Sequence, residues 1–173
     1  MSEESDNFIE QVLKAFIHIN KEISSETLEH NFSPRFVDYF VKSVLHYQGN
    51  EYIFERQRTD ITLQDENNLR VVVIETKKPK EDLDAEKWRE QAGKYADEST
   101  KYVGLTNGYT FLLWQNEKGH RVLKVNINFK NIIDTKRAKE DKLTTQETEQ
   151  ILFLKNISKE ELWNESKYNK FNY

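Results

Sequence analysis

Residues 71–74 of this chain read Val71-Val72-Val73-Ile74, and the next three read Glu75-Thr76-Lys77. A continuous β-branched run fits a strand covered on both faces, which requires a sheet with layers on either side. Side chains alternate along a strand, so Val71, Val73, Glu75 and Lys77 are expected on one face and Val72, Ile74 and Thr76 on the other. Glu75 and Lys77 then stand about 7 Å apart on the same side. A second strand-like segment, Arg58-Thr59-Asp60-Ile61-Thr62-Leu63, precedes the run across the polar turn Gln64-Asp65-Glu66-Asn67-Asn68. Pairing of the two brings Asp60 beside Glu75. Two carboxylates and one lysine on a partly buried patch are costly unless compensated, and a divalent cation is the obvious compensation.

With 173 residues, one domain with a substantial core is expected. The aromatic share of 12% is too high for a disordered chain, although 32% of the residues are charged. The chain has no cysteine, which removes disulfides, thiolate chemistry and cysteine zinc sites and fits a reducing cytoplasm. The acidic start Met1-Ser2-Glu3-Glu4-Ser5-Asp6 lacks a signal peptide's basic and apolar regions, and no run approaches the roughly 18 apolar residues of a membrane span. A soluble, cytoplasmic protein with no membrane partner is expected. The net charge of −4 gives no global footprint for nucleic acid, so any such binding rests on a local basic patch.

In chain order, Asp6 or Asn7 is placed to cap a helix carrying Phe8, Ile9, Val12, Leu13, Phe16 and Ile19 at helical spacing. A second helix follows, with a possible restart in which Ser33 caps and Pro34 takes the first helical position; its apolar face is Phe36, Val37, Phe40, Val41, Val44 and Leu45. Glu51 to Arg56 reads as a strand, followed by the Asp60 and Glu75 strands. Pro79 ends this meander, and Asp82 is placed to cap a helix over about Leu83 to Asp97. Tyr102 to Thr106 and Tyr109 to Trp114 read as strands joined at Asn107-Gly108, a hairpin signal, and Arg121 to Ile127 as a last strand. From about Asn131 the composition turns polar, with an apolar cluster at Ile151-Leu152-Phe153-Leu154 and a capped segment at Ser158 to Trp163. Too little apolar surface remains there for a second core, so this tail folds back or bridges to something else. The fold class expected is α/β, a central mixed sheet of about five strands flanked by helices, with residues 1–130 as the domain and 131–173 as a helical extension or connector.

Arg58-x-Asp60-Ile61, Val73-Ile74-Glu75-Thr76-Lys77-Lys78-Pro79, Gln91-Ala92-x-x-Tyr95 and Leu105-Thr106-Asn107-Gly108-Tyr109 occur in this order. The set resembles the PD-(D/E)XK nuclease superfamily, and most of all the N-terminal nuclease domain of type I restriction motor subunits and their single-chain relatives. The resemblance spans roughly Thr27 to Trp114 and implies a restriction-endonuclease-like core. It implies Asp60 and Glu75 as ligands of magnesium, with manganese able to substitute, helped by the backbone carbonyl of Thr76. Lys77 would orient the attacking water and steady charge on the phosphate, and Gln91 and Tyr95 would position the scissile strand. An acidic residue on the preceding helix often completes such a site; Glu29 is the choice, with Glu26 the alternative. Thr59 stands where the family pattern has Pro.

Arg56, Arg58, Lys78 and Lys80 flank the acidic centre and are candidate contacts to DNA phosphates. The expectation is a divalent-metal-dependent DNA endonuclease domain of a restriction system. Motor, methyltransferase or specificity parts would come from elsewhere, residue 173 is expected to end a fragment, and a transient dimer would be needed for a double-strand break. Taken singly, the motifs have plainer readings. Asp60 fits a strand-end residue paired with Arg58, Glu75 and Lys77 a solvated pair, Gln91 a surface residue, Tyr95 and Trp88 packed aromatics, and Asn107-Gly108 turn chemistry alone. Two rival classes are a catalytically silent nuclease-like DNA-binding or docking module, and an interaction protein with no nucleic-acid role.

Overall fold

The computed structural model describes residues 2–55, 60–92, 94, 96–117, 120–138 and 142–170, with the side chains of 55, 60 and 165–170 excepted. Its centre is a six-stranded sheet in the order β1-β2-β3-β4-β5-β6. The strands are β1 (Tyr52–Glu55), β2 (Asp60–Gln64), β3 (Arg70–Thr76), β4 (Tyr102–Thr106), β5 (Thr110–Glu117) and β6 (His120–Asn128). The β3–β4 pair is parallel and the other pairs are antiparallel. The architecture is α/β with a mixed sheet, one strand larger than the count of five. Among the described residues no helix is long and apolar enough to cross a membrane.

The two faces of the sheet are covered unequally. On one face lie α1 (Glu3–Glu22), α2 (Glu29–Phe36), α4 (Phe129–Asp134) and α5 (Thr145–Phe153), contributing Phe16, Phe36, Phe129 and Ile151 to one large core. Phe16 sits at its middle, stacked on Phe129 at 3.7 Å between ring centroids and meeting Phe36, Phe40 and Phe111 at 5.5–6.3 Å. The helical spacing of the apolar residues in α1 reads correctly from sequence, but the helix begins earlier: Ser2, not Asp6 or Asn7, accepts from the Ser5 N–H. The second helix also differs from expectation. Ser33 does not cap it, because α2 already starts at Glu29 and Pro34 lies inside it. Beyond Pro34 the helix widens into π turns over Val37–Lys42, which bury Val37, Phe40 and Val41 together.

The opposite face is covered by the crossover from β3 to β4. Leu83, Trp88 and Ala92 of that segment pack on Val103, Leu105, Leu112 and Trp114. The long helix expected over Leu83 to Asp97 is a single turn, α3 (Ala85–Trp88), capped by Asp84 instead of Asp82. The cause is distant in sequence. The Arg121 guanidinium on β6 donates to the carbonyls of Arg89 (2.8 Å) and Ala92 (2.5 Å), and the backbone there runs as turns.

The register also corrects the simple alternation on β3. Leu63 pairs with Val72 but Gln64 with Arg70, so a bulge inserts Val71. Val71 therefore joins Val72 in the large core instead of the Glu75 face. The C-terminal segment folds back: Ile151, Leu154, Ile157 and Leu162, the last from α6 (Lys159–Lys170), belong to that same core.

The β4–β5 turn is tightly enclosed. Gly108 has φ +84°, and a Cβ there would lie 2.5 Å from Ile23 Cδ1 and 2.9 Å from Phe32 Cε2. Gly108→Ala combines a left-handed strain with overpacking against α2 and is expected to cost about 2–4 kcal/mol. Urea unfolding of the variant checks this, read as a lower midpoint at unchanged slope.

Candidate active site

β3 runs through the core fully buried from Val71 to Ile74 and emerges at Glu75, which is half-buried. Thr76, the last strand residue, turns to the helical face, where its hydroxyl meets that of Ser33 at 2.6 Å. Ser33 in turn donates to the Glu29 carbonyl one helical turn earlier, at 2.8 Å. This buried hydroxyl pair fixes the start of α2, and with it Glu29, against the end of β3. Lys77 follows with its N–H donating to the Thr106 carbonyl at 2.8 Å, so β4 continues to hold the backbone past the last strand residue.

Glu75 and Lys77 form an ion pair, with side chains 17% and 19% exposed. The alternation expected at this end of the strand is therefore realised. The Lys77 ammonium also lies 5.0 Å from the centroid of the Trp88 ring, on the crossover side of the sheet. Burial works against its charge, but the Glu75 hydrogen bond and the charges of Glu75, Glu29 and Glu81 outweigh burial and hold the lysine above its ordinary value of 10.5. The sign follows directly. The stabilisation tied to this shift is complete below the ordinary lysine range and is lost only as pH rises through the folded value, so Lys77 is a cation at neutral pH.

The other expected residues divide into groups. Asp60 is the direct register partner of Glu75 across β2 and β3, as expected, while its side chain lies outside the description. Glu29 is brought within electrostatic range of Lys77, whereas Glu26 sits exposed in the turn before α2. Lys78 is half-buried and Lys80 exposed beyond the strand. Gln91 is a correction: it is exposed in the turns after α3 and not on the helix expected there, which stops at Trp88. Tyr95, Arg56 and Arg58 lie outside the described residues.

Three contributors were not singled out from sequence. Glu81 adds negative charge at Lys77. Trp88 supplies a ring face to it. Asn107 is more than a turn residue. Its carbonyl oxygen accepts from the Tyr109 and Thr110 N–H groups (2.9 and 2.8 Å), while its amide donates to the Glu81 carbonyl at 2.8 Å, tying the turn to the loop that follows Lys77. The only sequence signal for this was the Asn-Gly pair itself, whose local turn chemistry accounts for it without any distant partner.

The oxygen donors gathered here are hard ligands of the kind magnesium takes. Among the described residues no group of three acidic or histidine side chains is arranged to hold a metal; the Asp60 carboxylate stands outside that set. No protein-family model, curated protein or solved structure matches this chain.

The ion pair makes a direct prediction. Glu75→Gln removes the strongest influence raising the Lys77 pKa while leaving its burial in place, so that pKa falls relative to the unsubstituted protein. An NMR titration following the Lys77 Cε resonance reads the change, and an unmoved pKa would mean that the pair does not form in solution.

Proposed function

We propose that this chain is a divalent-metal-dependent deoxyribonuclease domain that hydrolyses phosphodiester bonds, in the manner of the restriction-type nucleases its motifs resemble. One observation carries the reading: the Lys77 ammonium pairs with the Glu75 carboxylate within electrostatic reach of Glu29 and Glu81, with Asp60 opposite Glu75 in the register. Carboxylates gathered at one partly buried strand end suit a hard divalent cation. Directly opposed strand positions carry their side chains on one face, which makes Asp60 and Glu75 the natural pair of ligands. Glu29 and the Thr76 carbonyl are the further candidates. A magnesium ion held there would supply an acidified water and a Lewis acid for the phosphate oxygen.

The chain's own residues account for the rest. Lys77 is kept protonated and so acts as a fixed positive charge toward a phosphate oxygen, orienting the attacking water by donating to it. A lysine with a raised pKa is a poor general base, which assigns proton removal to another group. The Trp88 ring, packed with Leu83 and Leu105, lies against one side of the ammonium. Lys78 and Lys80, directly after the site, are placed to meet the phosphates of a bound strand. DNA is thus the proposed substrate, and any motor, methyltransferase or specificity function would belong to partner domains or subunits.

The test is nicking of supercoiled plasmid in magnesium or manganese, with chelator as control. Asp60→Ala, Glu75→Ala and Lys77→Ala are each expected to lower the rate about 100-fold or more, in variants that a cooperative urea transition shows to be folded. Glu29→Gln is expected to raise the magnesium concentration needed for half-maximal rate. A folded parent protein that does not nick with either ion, or a Lys77→Ala variant as active as the parent, defeats the proposal.

A further inference from the structure

Lys77 has two holds in this structure, and they differ in kind. One is the Glu75 carboxylate. The other is the ring of Trp88, whose centroid lies 5.0 Å from the ammonium, inside the range of a cation–π contact and with the aromatic residue best suited to it. The ring is not a mobile surface group. Trp88 is only 8% exposed and packs with Leu83, Ala92 and Leu105, and its indole N–H donates to the Asp82 carbonyl at 3.2 Å. Leu105 is itself the β4 register partner of Glu75. The ring is therefore built into the same wall as the carboxylate.

We propose that Trp88 is a positioning residue for Lys77, holding the ammonium at the site by its ring face when the Glu75 carboxylate is engaged elsewhere. The inference rests on the hydrolytic reading of Lys77 given above. A hard cation takes carboxylate oxygens and leaves a ring face alone. A lysine restrained only by Glu75 would be free to swing toward solvent once that carboxylate served as a ligand, and four rotatable carbons make the swing easy. The ring attraction survives the exchange because it does not share the carboxylate. Lys87 also approaches this ring, at 5.3 Å, but from an exposed position where water screens the contact, so Lys87→Ala serves as the control that leaves Lys77 in place.

The experiment compares Trp88→Leu and Trp88→Phe in the full chain by two readouts, after urea unfolding has shown both to be folded. The first is the position of the Lys77 ε-methylene proton signals, with and without magnesium. Ring current from Trp88 is expected to hold these signals upfield in the parent protein. They are expected to move downfield in Trp88→Leu, and by less in Trp88→Phe. The second is plasmid nicking, with kcat down about tenfold in Trp88→Leu at unchanged KM, and Trp88→Phe falling between that variant and the parent. Should Trp88→Leu fail to fold, Trp88→Phe alone must show the partial shift and a few-fold loss in kcat. Unmoved Lys77 signals, or a Phe variant no better than Leu in both readouts, overturn the positioning role. A parent protein without nicking activity defeats the hydrolase reading instead and leaves the NMR comparison to decide the role of Trp88.

Discussion

The charge arrangement at Lys77 follows from where β3 leaves the core. Four consecutive β-branched residues keep the strand buried on both faces, and the first residue able to carry charge after them is Glu75. A carboxylate at that point cannot be fully hydrated, because β2 and β4 flank it and the crossover covers its face. Lys77, two residues on and therefore on the same side, supplies the counter-charge, and the ion pair forms. Coulombic attraction at this partly buried depth is stronger than at an open surface, which is why the lysine's pKa rises in spite of its burial. Around that pair the chain adds Glu29 from α2 and Glu81 from the following loop. The strand end in this way gathers several carboxylates around one partly buried ion pair, in contrast to solvent-exposed pairs such as Lys14–Glu10 and Lys130–Asp134.

The unequal covering of the sheet gives the site its form. The helical face is thick and aromatic, with Phe16 meeting four other rings. The other face has the crossover strap, held by two distant residues, Asn107 at the Glu81 carbonyl and Arg121 at the Arg89 and Ala92 carbonyls, and by the contact of its own Trp88 ring with Lys77. Each fixes backbone that has little regular hydrogen bonding of its own. A full helix across this face would have satisfied its own carbonyls and needed no such anchors. The strap exchanges that self-sufficiency for contacts that place Trp88 and Glu81 relative to Lys77.

Which of these features the sequence discloses depends on the range of the interaction. The buried run at Val71 to Ile74, the shared face of Glu75 and Lys77, and the pairing of Asp60 with Glu75 all follow from periodicity and a short connection, and all three are legible. The helix over Leu83 to Asp97 is read wrongly because its apolar spacing is genuine, while the guanidinium that captures two of its carbonyls arrives from Arg121. Ser33 before Pro34 looks like a cap for the same reason: the local pattern is right, but the partner that matters is Thr76, 43 residues away. Val71 changes face because of a bulge whose presence no alternation pattern announces. Glu29 is legible only through the resemblance, since nothing local to the helix start distinguishes it from Glu26.

The bulge also gives the C-terminal segment a part in the site. A one-residue slip of β2 against β3 would leave Glu75 without Asp60 as its register partner, so the register has to be pinned somewhere. The pins lie at the far end of the hairpin. Gln64, where the register shifts, donates its N–H to the Glu51 carbonyl at 2.9 Å and its side-chain amide to the Asn68 carbonyl at 3.1 Å. Its own carbonyl accepts the indole N–H of Trp163 on α6 at 3.1 Å. Lys159, one turn earlier on α6, pairs with Glu51 at 2.5 Å and lies 4.5 Å from the Trp163 ring. With Ile157 and Leu162 buried beneath, this part of the tail is docked by apolar contact as well as by hydrogen bonds. The polar composition that makes residues 131–173 look like a detachable connector thus conceals a small set of residues that clamp β1 and β2. Through the β2–β3 register, that clamp bears on which residue stands opposite Glu75.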